Sequence, residues 1–259
     1  MKLVDTHCHL YLDDFKEDSP EVIQRAMDAG VDKFYLPNID LSVNPDMMSL
    51  EKAYPGRCFS MMGLHPCSVK ANYQEELEGM EEWLGKRKFA AIGEVGLDFF
   101  WDTSFEKEQY DAFHTQANWA VQYGLPLIIH SRKSLDECIA LVKEHQEGNL
   151  TGIFHCFSGT SEQAEKIIDL GFYLGIGGVV TYKNGGLEPV IKKTGLDRVV
   201  LETDAPYLTP VPFRGKRNEP AYLKYVVEKL ALITGKTMEE VATITTKNAE
   251  KIFSQSRKD

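Results

Sequence analysis

Short apolar, β-branched runs recur eight times along this chain, each followed by a longer stretch of helical periodicity, and that alternation constrains the fold more than any single motif. Runs near 3–8, 31–37, 58–63, 89–94, 125–130, 151–155, 172–176 and 198–202 read as strands. The stretches 20–29, 46–53, 74–85, 104–123, 134–144, 161–170 and 187–194 read as helices, and 220–234 and 238–253 add two more after the last strand. A helical crossover returns each strand parallel to the one before, and eight such units of about 32 residues fill the 259-residue chain, the usual size of an eight-stranded barrel. The expected fold is α/β, a (β/α)8 TIM barrel with an additional C-terminal helix. No Pro-, Gly- or Ser-rich linker breaks the alternation, so residues 1–259 are expected to form one domain.

A barrel of this kind carries its chemistry at the C-terminal ends of the strands. Reading those ends in order gives His7 and His9, then His65 after the third strand, Glu94 and Asp98 at the fourth, and His130 with Arg132 at the fifth. His155 ends the sixth, and Glu202 and Asp204 end the eighth. Five of the seven histidines fall there, and only His114 and His145 lie inside helical stretches. In the opening run the strand period puts Asp5, His7 and His9 on one face and Val4, Thr6 and Cys8 on the other, so two imidazoles converge. Asp5 then orients a ligand from behind.

Composition excludes several alternatives. A net charge of −10 does not suit a protein that coats nucleic acid non-specifically, although a local cationic patch is compatible with it. Arg132 and Lys133 after the fifth strand, Lys183 after the seventh, and Arg214, Lys216 and Arg217 after the eighth are expected to supply that patch at the barrel mouth. No apolar stretch approaches a membrane span, and the opening residues lack the pattern of a cleaved signal. Five scattered cysteines, an odd number without CxxC spacing, read as reduced thiols in a cytoplasmic protein. Cys8 and Cys156 neighbour candidate ligands but are expected to face away as buried thiols. No obligate protein partner is called for.

The segments DTHCHL, GLHP at 63–66, GEVGLDF at 93–99, IHSR at 129–132, HCFSG at 155–159, ETDAPYL at 202–208 and RGKRNEP at 214–220 resemble, together, the TatD-type metal-dependent deoxyribonucleases of the amidohydrolase-like barrel superfamily, from about residue 1 to 253. HxH alone is shared by many hydrolases; its combination with GE.GLD and ETD.P is far more specific. The resemblance implies two divalent ions, one held by His7, His9, Glu94 and Asp204 and the other by Glu94, His130 and His155, with Glu94 bridging. It implies hydrolysis of DNA by a metal-activated water, and for His65 a phosphate contact, a structural hydrogen bond being the alternative; a site in the pocket of a narrow, acidic barrel is expected to take single-stranded ends. Two ions about 3.5–4 Å apart can clamp the attacking and leaving oxygens of a phosphodiester displacement. Four imidazoles and two carboxylates suit zinc or manganese better than magnesium, which prefers oxygen ligands, and magnesium stays as a third candidate.

Several roles stay open at this level. Glu202 is either a general base or a carboxylate that orients a histidine. Asp98 either positions substrate or caps the segment after it, and Phe99, Phe100 and Trp101 either stack nucleobases or pack under the following helix. Gly175, Gly177 and Gly178 mark a tight turn. A lysine-bridged amidohydrolase acting on small amides or aminoacyl esters is the competing enzyme, disfavoured because Lys88 lies at the wrong end of the fourth strand. A metal-binding adaptor without turnover is the competing non-enzyme.

Overall fold

In the computed structural model, which describes residues 1–254, eight short parallel strands alternate with helices around a closed barrel. The strands are β1 (Leu3–Asp5), β2 (Val31–Leu36), β3 (Cys58–Ser60), β4 (Ile92–Asp98), β5 (Leu127–Arg132), β6 (Gly152–Phe154), β7 (Tyr173–Ile176) and β8 (Val199–Leu201). The helices are α1 (Ser19–Asp28), α2 (Asn44–Ala53), α3 (Tyr73–Lys86), α4 (Glu106–Tyr123), α5 (Leu135–His145), α6 (Ser161–Asp169), α7 (Leu187–Thr194), α8 (Leu223–Thr234) and α9 (Met238–Ser254). The last five residues of the expected domain lie outside the described residues. None of the described helices is long and apolar enough to cross a membrane.

Pairing runs β1-β2-β3 and β4-β5-β6-β7-β8, parallel throughout. Two seams close the ring. Met62 bridges Ile92 between β3 and β4. Across the other seam the Thr6 amide donates to Leu201 O at 2.9 Å, and Asp5 accepts from the Thr203 amide at 3.0 Å and hydroxyl at 2.5 Å.

The barrel interior is built in layers. Val4, Tyr35, Met61, Ala91, Ile128, Ile153, Tyr173 and Val200, one from each strand or its flank, fill the lower part as an apolar cluster. Residues from α9 close that end, with the Phe253 ring stacked on Tyr35 at 3.6 Å. Apolar side chains therefore occupy the bottom of the barrel and leave polar ones to the top, as side-chain layering in this fold requires.

Two strands depart from the sequence reading in ways that matter. Val4 lies inside the barrel while Leu3 and Cys8 pack outside it, so β1 ends at Asp5 and the chain bends before His7. His7 and His9 face inward because of that bend, and Asp5 does not share their face; its carboxylate stitches the β1–β8 seam instead. The fourth strand runs Ile92–Asp98 rather than 89–94, so Glu94 sits within the strand and Asp98 ends it. A register shift between Ile92 and Val95 accompanies the inward turn of Glu94. Gly96 lets β4 and β5 approach, since a Cβ there would lie 1.8 Å from His130 O.

Candidate metal centre

Glu94 is the hub of the polar layer, with its two carboxylate oxygens facing two different groups of imidazoles. Oε2 lies 3.1 Å from His7 Nε2 and 3.7 Å from His9 Nε2, and these two nitrogens are 3.3 Å apart. Asp204 Oδ1 completes that group, 3.5 Å from His9 Nε2 and 3.7 Å from His7 Nε2. Oε1 lies 3.0 Å from His130 Nδ1, 3.0 Å from His155 Nε2 and 3.5 Å from His65 Nε2. The six residues that the resemblance implies as ligands thus face two adjoining points.

Far-side hydrogen bonds fix which nitrogen His9 and His130 present, whereas His7 Nδ1 and His155 Nδ1 are buried without a hydrogen-bond partner among the described residues. Tyr11 donates its hydroxyl to Pro37 O, so it can only accept from His9 Nδ1 at 2.9 Å, and the His9 Nε2 lone pair is left facing Asp204. Asp98 Oδ2 lies 2.9 Å from His130 Nε2, which turns Nδ1 toward Glu94. Glu202 Oε1 lies 3.4 Å from His155 Nδ1 and accepts from the Cys156 amide at 2.5 Å. A carboxylate or phenol behind a ligating imidazole is the usual support of a metal site. His65 differs: its Nδ1 accepts from the Cys67 amide at 3.0 Å, so the neutral ring carries its proton on Nε2. It presents a donor to the centre rather than a lone pair.

Titration behaviour follows from this crowding. Burial would raise Glu94, but the imidazoles of His155, His7 and His65 and the bond with His130 outweigh it and hold the carboxyl well below the usual range. Burial alone would lower His155, yet Glu94 leads the groups that push it well above the ordinary histidine value. His130 is raised against its burial by Asp98 and Glu94, whereas burial and the nearby His155 lower His7. Protons between imidazole and carboxylate here stand where cations fit.

The donor set fits divalent ions. Lone pairs of His130 Nδ1 and Glu94 Oε1 face each other at 3.0 Å, which requires a cation or a proton between them. Neutral imidazoles and carboxylates at this spacing are zinc- or manganese-type ligands. His7, His9, Glu94 and Asp204 would hold one ion, and Glu94, His130 and His155 a second.

Several sequence expectations change in three dimensions. Glu202 is fully buried, and a Cβ at position 175 would lie 2.3 Å from its Oε2; Gly175 makes room for the carboxylate within β7, before the turn at Gly178–Thr181. Asp98 is not exposed to substrate: one oxygen serves His130 and the other caps the next segment, accepting from the Phe100 and Trp101 amides at 2.9 and 3.1 Å. Cys8 is buried outside the barrel as expected, but Cys156 is not turned away. Its backbone takes a left-handed φ of 46°, and its thiol lies 3.9 Å from Asp204 Oδ2.

Among the expected mouth charges, Arg132 and Lys133 are exposed on the rim beside Phe100. Arg214 lies over the Tyr182 ring at 3.8 Å, and Lys216 is exposed beside Phe213. Arg217 is drawn away, because its guanidinium makes a two-point contact with Asp18 at 2.9 and 2.6 Å and bonds Asp14 O. Lys183 lines a side cleft with residues of α7.

Sequence reasoning missed Tyr11 and Asn218. Asn218 donates to Thr203 O at 2.8 Å and Tyr207 O at 2.7 Å, pinning the loop in which Asp204 adopts a φ of 56°. No pattern announces either residue, since each acts across elements distant in sequence.

A family model described as TatD related DNase matches residues 4–254. The chain is 39% identical over 252 residues to the Bacillus subtilis (strain 168) protein named "Uncharacterized metal-dependent hydrolase YabD", covering 97% of this chain and 98% of the relative. It is 32% identical to the Pantoea vagans (strain C9-1) protein named "3'-5' ssDNA/RNA exonuclease TatD", covering 97% and 99%. The crystal structure of YjjV, a TatD homologue from Escherichia coli K12, superimposes with a TM-score of 0.92 at 32% identity, covering 97% of this chain and 98% of that one.

Proposed function

The chain belongs to the TatD-related DNase family of metal-dependent hydrolases, and on that premise we propose that it hydrolyses DNA phosphodiester bonds, acting at single-stranded ends with two divalent ions. The observation that carries this reading is Glu94, whose two oxygens serve two separate groups of donors. When bound, the ions would lower the pKa of a water and neutralise charge on a phosphoryl group.

The remaining work falls to side chains. His65 Nε2–H faces the centre, 3.5 Å from Glu94 Oε1, and from there donates a hydrogen bond to a phosphate oxygen. Asp204 keeps 9% exposure and is the carboxylate that a water can reach, so it takes the proton. Glu202 has no such access and acts by positioning His155. Arg132, Arg214 and Lys216 attract the polyanion at the mouth. The name of the Pantoea vagans relative supports a single-stranded nucleic acid substrate.

The test is to strip the metal, reload separately with magnesium, manganese and zinc, and assay end-labelled single- and double-stranded DNA beside a panel of amides and aminoacyl esters. Metal-dependent shortening of the single strand is expected. Turnover of an amide or ester with intact DNA would overturn the reading.

A further inference from the structure

The segment after β4 places two aromatic rings in solvent beside the metal centre, and no packing requirement explains them. Phe99 turns inward against the core, near Tyr110. Phe100 and Trp101 turn outward, at 43% and 67% exposure, and Trp101 is the most exposed large aromatic among the described residues. An exposed indole with no burial in return is a cost to solubility.

These rings are held by a set of mutual contacts. They meet edge to face at 4.9 Å, and the Arg132 guanidinium lies 4.0 Å from the Phe100 centroid and 5.1 Å from that of Trp101. Lys133 Nζ lies 5.0 Å from Phe100. The Phe100 and Trp101 amides both donate to Asp98 Oδ1, while Asp98 Oδ2 holds His130. One carboxylate therefore fixes the aromatic pair relative to a side chain of the metal centre.

We propose that Trp101, braced by Phe100 and Arg132, is a stacking subsite for a nucleobase of a single-stranded polynucleotide whose phosphate enters the metal centre. The inference rests on the nucleic-acid reading of that centre. A base in a duplex has both faces covered, whereas an unpaired one can lie on an indole, and such stacking accepts any base. Arg132 and Lys133, beside the rings, meet the flanking phosphates, which a purely apolar protein partner would not match.

The experiment measures binding of two phosphorothioate octamers to the metal-loaded protein: one of thymidine, the other of the same backbone without bases. Trp101→Ala should weaken the thymidine octamer by about 5- to 100-fold, the usual range for one lost stack, and leave the baseless octamer within twofold. Trp101→Phe should recover most of the loss, and metal content should not change. Arg132→Gln should weaken both octamers and flatten their salt dependence, the thymidine octamer losing more because Trp101 also loses its brace. A Trp101→Ala protein that binds the thymidine octamer normally, or loses both octamers equally, overturns the stacking subsite while wild-type cleavage of DNA leaves the parent reading intact. Wild-type protein that neither binds nor cleaves any oligonucleotide overturns both.

Discussion

Tyr11 shows how much of the centre depends on residues that touch no substrate. Its hydroxyl, committed to Pro37 O, accepts from His9 Nδ1 and so sets the tautomer whose Nε2 faces Asp204. Tyr11→Phe keeps the ring and removes that acceptor; metal affinity should fall by roughly 10- to 100-fold, read by competition with a chelator, with the circular dichroism unchanged. Unaltered affinity would mean that the bend after β1 alone orients His9. Glu202 invites a sharper comparison, because the residue types admitted two roles. A general base would lose on the order of 10² to 10⁴ in turnover with both metals retained. A positioning carboxylate, as its burial and its place behind His155 indicate, should make Glu202→Gln lower the affinity of one ion and leave the pH profile of the fully loaded enzyme in place. The side chains that gather around Glu94 were legible in the sequence, since histidines and carboxylates cluster at strand ends. Their supports were not: Tyr11, Asn218 and the left-handed turn at Cys156 acquire meaning only when strands far apart in sequence come together.

Elements were legible to the extent that their period matched the code. Helices with long amphipathic stretches fell close to expectation, and α7 coincided with it. Strands fared worse at their upper ends, because alternation assumes a regular pleat and the functional segments break it. The bend after Asp5 and the register shift between Ile92 and Val95 turn His7 and Glu94 inward where a regular strand would not. Such irregularities are where barrels re-aim side chains toward a site. The stretch 220–234 also splits into a short turn at Pro220–Tyr222 and α8. The role of α9 was invisible, since an amphipathic helix at the end of a chain gives no hint that it plugs the barrel floor. Phe253, stacked on Tyr35, should therefore be costly to truncate: Phe253→Ala is expected to lose about 3–5 kcal/mol, measured by urea unfolding. Metal stoichiometry should persist under native conditions, because the plug and the centre occupy opposite ends of the interior. A loss below about 1 kcal/mol would show that the floor is sealed without it.

At the scale of the whole molecule, the proposed metal centre would act as a clamp. Its candidate ligands come from just beyond β1, β6 and β8 and from within β4 and β5, so they span both runs of paired strands. Each ion that binds this arrangement and not the unfolded chain stabilises the barrel by about 2.7 kcal/mol at a free concentration 100 times its Kd. For a chain of this size, that amounts to a rise of very roughly 5–10 °C in Tm. The sign of its pH dependence follows from the protons that occupy the stripped site. His155 and His130 are raised by their carboxylate neighbours, so at neutral pH and below a metal must displace protons to bind. Falling pH strengthens that competition, and rising pH relieves it. The gap in Tm between metal-loaded and stripped protein at fixed free zinc should therefore widen from pH 6 to pH 8, and loading a weakly buffered sample should release protons. His7, lowered by burial and by His155, contributes little to that release because its ring is already neutral. Replacing Glu94 with Gln removes the charge that raises His155, so the variant should bind metal more weakly and release fewer protons for each ion bound. A gap independent of pH, with no proton release, would mean that the imidazoles are neutral in the stripped protein and that Glu94 does not hold its proton-bridged partners.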